Sequence, residues 1–443
     1  MTPRASNAAA PIAPQAADAL AAAMLIAIGA SIRGDIRFIA GLPITIGGFA
    51  VAAQAMWRVG RGQPVAWRRE IGFLLFATAA VGLFTPSLHG PLWFEGSRRA
   101  FSTLGLAVAA VFAYGDTRWS RRGVTALIVA AAALHLLTPL GVPRPNIDVW
   151  AWTQTCMHAL LHGVHPYTVQ AKDVVSAAEI GRTAAVYPYM PLTIVAFAPG
   201  YALFGDYRFV SALCVPATVA LNRATGRRLA LDPAFVDAAT LAFLLFPRAV
   251  ELTNFGWTEP LLVTTLSAFA YLAVRAPDSV AEAAAFFLLP ALKQYFVAPV
   301  LLYVAMKPPR AWMKVLAAGA AVAAATVGPF LVWNWHPTIA GMVTQMTAPV
   351  EPRLDSDSLV AFVGAVTGVY VNRWISVAVQ LLVAAIAWSR LRHHGLGGLL
   401  LASALALCAT FLCGWQAFVN YYYLVSAMLI AAALGLARRA LDS

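Results

Sequence analysis

Long apolar segments recur along nearly the whole chain, and this pattern restricts the fold more than any single motif does. Of the 443 residues, 60% are hydrophobic and only 11% are charged, a balance outside the range of soluble globular proteins. A membrane-spanning helix needs roughly 20 apolar residues, and fewer where neighbouring helices bury it. The sequence therefore predicts an all-α fold, a polytopic bundle of about 12 to 15 transmembrane helices whose first span covers residues 16–32.

The positions of the Lys and Arg residues that produce the net charge of +12 predict how the chain is oriented in the membrane. Lys and Arg mark the ends of apolar segments and do not gather in one polar domain, so no nucleic-acid partner is expected. Cytoplasmic loops of membrane proteins are enriched in these residues. The clusters predicted to be cytoplasmic are Arg58/Arg61/Arg68/Arg69, Arg118/Arg121/Arg122, Arg223/Arg227/Arg228, Lys307/Arg310/Lys314, Arg390/Arg392 and Arg438/Arg439.

This orientation predicts that both termini are inside and that a first large loop, residues 142–190, lies outside. It requires that residues 191–204 dip into the membrane without crossing it, and that residues 359–370 form a helix on the outer face. Several shorter polar segments, which interrupt the apolar runs, are then also predicted to lie on the outer face. These segments are residues 248–259, 293–294, 334–358 and 414–420.

Asp148 is the carboxylate that stands out in the first large outer loop, because it directly precedes a predicted helix at residues 149–161. A carboxylate beside a cleft can accept the proton of an attacking hydroxyl as a general base. Asp is also among the best residues for capping a helix N-terminus. From the residues alone, both interpretations stay open.

Two histidines of the same helix, His158 and His162, are four residues apart and share a face. Such a pair can bind a metal ion, but no HExxH glutamate or nearby carboxylate completes a site, which favours a polar helix face. The four cysteines form no CxxC or Cys/His pattern either. The sequence therefore predicts no metal site and no cofactor.

Lys293 interrupts an apolar run and has Pro290 and Pro299 around it, which predicts a break between two short spans. An ionisable residue in such a hairpin is a functional candidate, although a lysine also reaches the headgroups readily from a simple turn. In residues 334–358, His336 and Arg353 lie in a loop too long for a mere connection. Arg353 has the guanidinium geometry that pairs with phosphate.

The short loop at residues 248–259 carries Glu251, Asn254 and Trp257. These side chains are suited to ordering a sugar or a phosphate, but a solvated turn has the same composition.

Together these elements resemble the GT-C superfamily of integral-membrane glycosyltransferases, most closely the bacterial polyprenyl-phosphate-mannose-dependent α-mannosyltransferases and arabinofuranosyltransferases. Trp257 stands where the pattern has Gln, and Tyr189 where it has a second Pro. The resemblance extends over roughly residues 124–360. The matching elements are Asp148, HGVHPY at residues 162–167, YPYMP at 187–191, NFGW at 254–257, Lys293 and DSDSL at 355–359.

The resemblance implies inverting transfer of a sugar, most often mannose, from a polyprenyl-phosphate donor to a lipid or glycan acceptor outside the cell membrane. Asp148 would be the general base, and a cation would stabilise the leaving phosphate. Residues 124–443 would form the catalytic core, with residues 1–123 as additional helices. The implied phosphate-binding residues are Lys293, Arg353 and His336, and the implied sugar- or acceptor-binding residues are Trp150, His165, Tyr167, Tyr187, Tyr189, Glu251, Asn254 and Trp257.

Two other functional classes compete with this interpretation. A transporter or lipid flippase would carry ionisable groups near the membrane midplane and paired broken helices in two halves. An O-antigen ligase or polymerase would carry a large late outer loop rich in Arg and His. Here the charges lie at the ends of predicted spans, and the largest loop precedes the middle of the chain.

Overall fold

The computed structural model describes residues 10–33, 37–86, 91–174, 186–344, 353–372 and 374–437. These residues form α-helices joined by turns, together with one isolated β-bridge between Ile12 and Val65. The predicted all-α class is confirmed. The helices are α1 (Pro14–Ser31), α2 (Leu42–Arg58), α3 (Arg68–Phe84), α4 (Leu92–Tyr114), α5 (Thr117–Gly141), α6 (Asp148–Leu161), α7 (Pro191–Phe204), α8 (Arg208–Arg228), α9 (Pro233–Leu244), α10 (Ala249–Asn254), α11 (Glu259–Arg275), α12 (Val280–Leu292), α13 (Val297–Met306), α14 (Pro309–Thr326), α15 (Gly328–Ile339), α16 (Leu359–Thr367), α17 (Trp374–Leu391), α18 (Gly395–Leu412) and α19 (Val419–Ala437).

Six helical segments in the described part of the chain are long and apolar enough to cross a membrane, so the protein is a polytopic membrane protein. A seventh is added if α14 and α15, bent by 66° relative to each other, form one broken span. The predicted 12 to 15 spans would therefore have to include helices that are shorter or more polar than these six or seven. The six segments are Pro14–Ser31, Arg37–Arg58, Arg118–Gly141, Trp374–Leu391, Gly395–Leu412 and Val419–Ala437.

The centre of the bundle is built from α18 and α19, whose spans are 83% and 89% buried. Both are apolar all round, as expected for helices surrounded by other helices. They approach closely where Gly397 meets Gly435, because a Cβ on Gly397 would lie 2.8 Å from the Gly435 backbone. Small residues at helix contacts permit this spacing.

The N-terminal helix α1 belongs to this same core and packs against α2 and α19. The Ser426 hydroxyl of α19 donates a hydrogen bond to the Ala23 carbonyl of α1 at 3.0 Å. The span of α1 is 78% buried, whereas that of α17 is only 22% buried and exposes an apolar surface suited to lipid. Residues near the N-terminus thus contact the C-terminal helices directly.

Several local predictions are confirmed. The predicted helix at residues 149–161 is α6, and the predicted break at Lys293 separates α12 from α13. The nine-residue α16 rises only about 14 Å, too little to cross a hydrocarbon core of roughly 30 Å. The orientation of the bundle stays a prediction, and its basic pair Arg438/Arg439 lies outside the described residues.

Candidate active site

The segment that precedes α7 folds into its own hydrophobic cluster against α6 and α15. Trp152 and Met157 of α6 pack with Tyr167, Tyr187 and Phe330, all of them buried. The Tyr167 hydroxyl donates a hydrogen bond to the Tyr189 carbonyl. This packing fixes the start of α6 and residues 186–190 beside each other.

Arg208, which the sequence analysis missed, anchors the start of this region. Its fully buried guanidinium lies 2.6 Å from the Asp206 carboxylate and donates hydrogen bonds to the carbonyls of Val142, at 2.8 Å, and Asn254, at 2.9 Å. It also lies 5.7 Å from the centre of the Trp150 ring. The signal was an Arg two residues after an Asp at the entry to an apolar segment.

Lys293 lies in an enclosed ion pair. Its ammonium is 2.5 Å from Glu259 Oε1, and both side chains are buried. The rings of Tyr189, Tyr295 and Tyr421 surround it with centroids 5.2, 5.5 and 5.3 Å away. Aromatic faces attract cations, so the ammonium is held by one carboxylate and three rings.

The extended backbone of Lys293 separates two helical elements and points its side chain into this cage. The neighbouring Gln294 donates hydrogen bonds to the carbonyls of Pro188, at 3.0 Å, and Met342, at 3.4 Å. The break after α12 is thereby fastened to the segment that carries Tyr189.

Asp148 is the first residue of α6 and is exposed at the surface of the site. Its Oδ1 accepts a hydrogen bond from the Val149 N–H at 2.8 Å, but the N-cap residue is Ile147, so Asp148 does not cap the helix. Burial is the main cause that raises the pKa of Tyr189, and the carboxylates of Asp148 and Glu259 raise it further. The charges of Asp148 and Glu259 therefore act on the same tyrosine, whose ring also contacts the Lys293 ammonium.

Arg353 extends this group of charges. It binds Asp355 through two hydrogen bonds of 2.8 Å from Nε and Nη2, and both side chains are about half exposed. This pairing is the main cause that raises the pKa of Arg353, and the charge of Asp148 adds to it. The charge of Asp148 thus acts on both Arg353 and Tyr189, and Tyr189 contacts Lys293.

Three other predicted binding residues, Glu251, Asn254 and Trp257, have contacts within the bundle. Glu251 is buried in an ion pair with Arg248, whose Nη1 lies 2.7 Å from each carboxylate oxygen. Asn254 is fully buried and accepts the Arg208 bond through its carbonyl. Trp257 is partly buried, and its ring meets that of Phe255 at 5.1 Å.

Three predicted sugar contacts need correction, because their rings are inside the protein. Tyr167 and Tyr187 are 1% and 0% exposed, and His165 is 5% exposed. His165 Nε2 lies 3.3 Å from the Phe330 carbonyl and 3.2 Å from the Thr338 hydroxyl, and burial lowers its pKa. An aromatic platform for a sugar must be open to the ligand, so these three residues shape the site from behind.

Other predicted binding residues differ in position. Trp150 and Tyr189 keep partly exposed surface beside Asp148 and Lys293. His336 is exposed, and its ring contact is with Trp335 at 4.2 Å. No group of three or more His, Cys, Asp and Glu side chains placed to hold a metal ion occurs among the described residues.

No protein-family model matches the chain, and no curated protein sequence matches it. Among solved structures, it is similar to ArnT from Cupriavidus metallidurans bound to undecaprenyl phosphate, with a TM-score of 0.47 and 17% identity. The apo form of that protein gives a TM-score of 0.46 and 19% identity. The matches cover 74% and 73% of this chain, which spans 60% of the length of those structures.

Proposed function

We propose that the chain is an integral-membrane glycosyltransferase of GT-C type that moves a sugar from a polyprenyl-phosphate donor to an acceptor hydroxyl on the outer face of the membrane. The observation that supports the proposal is the buried Lys293–Glu259 pair beside the ring of Tyr189, a tyrosine whose pKa the charge of Asp148 also raises. Glycosyl transfer to a hydroxyl needs a base and a cation near one sugar. Mannose is the sugar that the family resemblance favours.

The reaction begins at Asp148, whose exposed carboxylate takes the proton of the acceptor hydroxyl. The freed oxygen attacks the anomeric carbon from the face opposite the phosphate. A new carbon–oxygen bond forms as the bond to the phosphate oxygen breaks, and the leaving polyprenyl phosphate keeps that electron pair. The configuration at the anomeric carbon is therefore inverted.

Lys293 and Arg353 supply the positive charge that the leaving phosphate requires. The ammonium has three N–H donors, and Glu259 occupies one direction at 2.5 Å. The Asp355 bonds use Nε and Nη2 of Arg353, which leaves the Nη1 amino group for a ligand. The carboxylates hold both cations in place before the donor arrives.

In this proposal, the sugar lies between these charges and the partly exposed rings of Trp150 and Tyr189. An aromatic face packs against the apolar side of a pyranose, while the ring edges remain available to polar groups. The donor's prenyl chain requires an apolar groove among the lipid-facing helices.

The decisive experiment measures sugar transfer from defined polyprenyl-phosphate sugars by the purified protein in nanodiscs. Asp148→Asn is expected to lower the transfer rate by about 10² to 10⁴-fold, because general-base catalysis contributes on that order. Asp148→Glu should retain part of the rate. Asp173→Asn is the matched control, because Asp173 belongs to the same loop and caps a local turn through the Gln170 N–H at 3.1 Å.

An unchanged transfer rate in a folded Asp148→Asn protein would overturn the role of Asp148. If no defined donor is turned over by the wild type, but polyprenyl-linked sugar crosses the bilayer, the protein is a flippase instead. These two outcomes separate the assignment of the base from the assignment of the function.

A further inference from the structure

A second group of charges lies where the connection between α1 and α2 meets the segment before α16. Arg37 Nη2 donates a hydrogen bond to the Leu354 carbonyl at 2.6 Å, across 317 residues of sequence. The adjacent Phe38 ring packs edge-on against Phe362 with centroids 5.5 Å apart. These contacts join this connection to the segment that carries Asp357, and the charges of Arg33 and Arg37 act on the Asp357 carboxylate.

Asp357 is held rigidly through its backbone. Its N–H donates to the Ala417 carbonyl at 2.7 Å, and its carbonyl accepts from the Tyr422 hydroxyl at 2.6 Å. Only 6% of the residue is exposed, yet its Oδ2 has no hydrogen-bond partner in the described part of the chain. A buried carboxylate oxygen without a partner is unusual.

Arg33 and Arg37 have the opposite feature, which is buried hydrogen-bond donors without acceptors among the described residues. Within the described ranges, the buried Nε and Nη2 of Arg33 and the buried Nε of Arg37 also have no hydrogen-bond partner. Nε and one Nη form the edge of a guanidinium that binds two oxygens of a phosphate or carboxylate at once. An entire recognition edge of Arg33 is therefore unused.

The surrounding charges leave a positive balance at this place. Arg248 is paired with Glu251, and Asp355 is paired with Arg353. Among the described residues, Asp357 is then the carboxylate without an ion pair whose charge interacts with Arg33 and Arg37. Burial lowers the pKa of Arg33 and raises that of Asp357 to about 6, although each is attracted to the other's charge. The opposite charges are near each other but form no ion pair among the described residues.

We propose that Arg33, Arg37 and Asp357 form a second anion site that binds the phosphate group of a ligand, separate from Lys293. Two phosphate oxygens bind the Nε–Nη2 edge of Arg33, and the Arg37 Nε donates to one of the same oxygens. Asp357 either donates to the phosphate when it is protonated or accepts from a neighbouring ligand hydroxyl. The ligand satisfies polar atoms that the chain itself leaves without partners.

Phosphate is favoured over an uncharged group because the site has two guanidinium groups and one carboxylate. Its position at the end of the α1 and α2 spans gives access to lipid headgroups as well as to phosphate in solution. Binding does not depend on sugar transfer, so the site can be tested whether or not the protein is a glycosyltransferase.

The test uses the full chain and two probes. Inorganic phosphate is titrated by calorimetry into the detergent-purified protein, and phosphatidic acid binding is measured in phosphatidylcholine nanodiscs. Arg33→Gln/Arg37→Gln is expected to weaken phosphate binding by at least about tenfold. Arg33→Lys keeps the charge but lacks the two-pronged edge, and it should weaken binding less.

The matched control is Arg61→Gln/Arg69→Gln, which removes the same charge from exposed positions. Binding of both probes, or of phosphatidic acid alone, that is lost only in the Arg33/Arg37 variant supports the site and identifies the source of the phosphate. Equal weakening in the control, or unchanged binding in a folded Arg33/Arg37 variant, overturns it.

Discussion

Two of the buried groups of opposite charges among the described residues are built differently. Lys293 and Glu259 touch at 2.5 Å inside a ring of tyrosines. Arg33 and Asp357 attract each other but keep polar atoms without hydrogen-bond partners in the described residues. A buried charge is costly unless it is paired. The first group therefore contains an ion pair, although Glu259 Oε2 has no hydrogen-bond partner among the described residues, whereas Arg33 and Asp357 form no ion pair there.

The largest effect expected from this difference is on Lys293. Lys293→Met leaves the Glu259 carboxylate buried without its cation, and breaking a buried pair in this way costs about 3 to 5 kcal/mol. The double variant Lys293→Met/Glu259→Gln removes both charges and should recover much of that loss. The melting temperatures of the two detergent-purified variants, compared with that of the wild type, measure the loss and its recovery.

Arg33→Met provides the contrast, because its guanidinium has no such partner to lose. A decrease in melting temperature as large as that of Lys293→Met would show that Arg33 is paired after all. The comparison between the two groups would then fail.

The second effect concerns Asp357, whose pKa burial raises to about 6, against the usual value of about 3.9 in an unfolded chain. Between these values the folded protein binds a proton that the unfolded chain has lost, so stability falls as pH rises from about 4 to 6. Asp357→Asn should therefore stabilise the protein at pH 7.5 by about 1 to 3 kcal/mol.

That stabilisation should shrink as the pH approaches 5, where the wild-type carboxyl is protonated. Melting temperatures at several pH values test the sign. A variant that is less stable than wild type at pH 7.5 would mean that the Asp357 charge is satisfied by its surroundings, which include Arg33, Arg37, Arg248 and Asp355.

A third, smaller effect follows from mass action. A ligand that binds only the folded protein, at ten times its dissociation constant, stabilises it by about 1.4 kcal/mol. Phosphate should therefore raise the melting temperature of the wild type and of Lys293→Met/Glu259→Gln. It should have little effect on Arg33→Gln/Arg37→Gln, and an equal rise in all three proteins would assign the effect to the salt.

The sequence indicated which single residues stand out in these regions, but it did not indicate which distant residues they contact. The proline-flanked polar break located Lys293, and Asp148 marked the start of α6, since both signals lie within a few residues. Glu259 is 34 residues away from Lys293, and no periodicity connects them. Arg37 meets Leu354 across 317 residues, so only the packing of α1 and α2 against the rest of the bundle reveals that site.

The aromatic side chains of residues 142–190, the predicted outer loop, show a second limit of prediction from sequence. Tyr167, Tyr187 and Tyr189 all lie in a polar stretch, where each fits a ligand-binding surface equally well. In the structure, Tyr167 and Tyr187 fill the cluster behind α6, and only Tyr189 faces Lys293. Which ring is buried depends on contacts with Trp152 and Phe330, and Phe330 comes from a helix far along the chain.

The smallest effect on stability is expected at Arg353. Its pair with Asp355 is about half exposed, and exposed pairs contribute only about 0 to 1 kcal/mol. Arg353→Gln should therefore leave the melting temperature nearly unchanged. If Arg353 contacts the donor phosphate, the same variant should weaken donor binding about tenfold, because a charged hydrogen bond is lost. Titration of a polyprenyl-phosphate sugar into nanodisc-embedded protein measures this. A variant with normal stability and normal donor affinity would remove Arg353 from the site and leave Lys293 as the cation for the leaving phosphate.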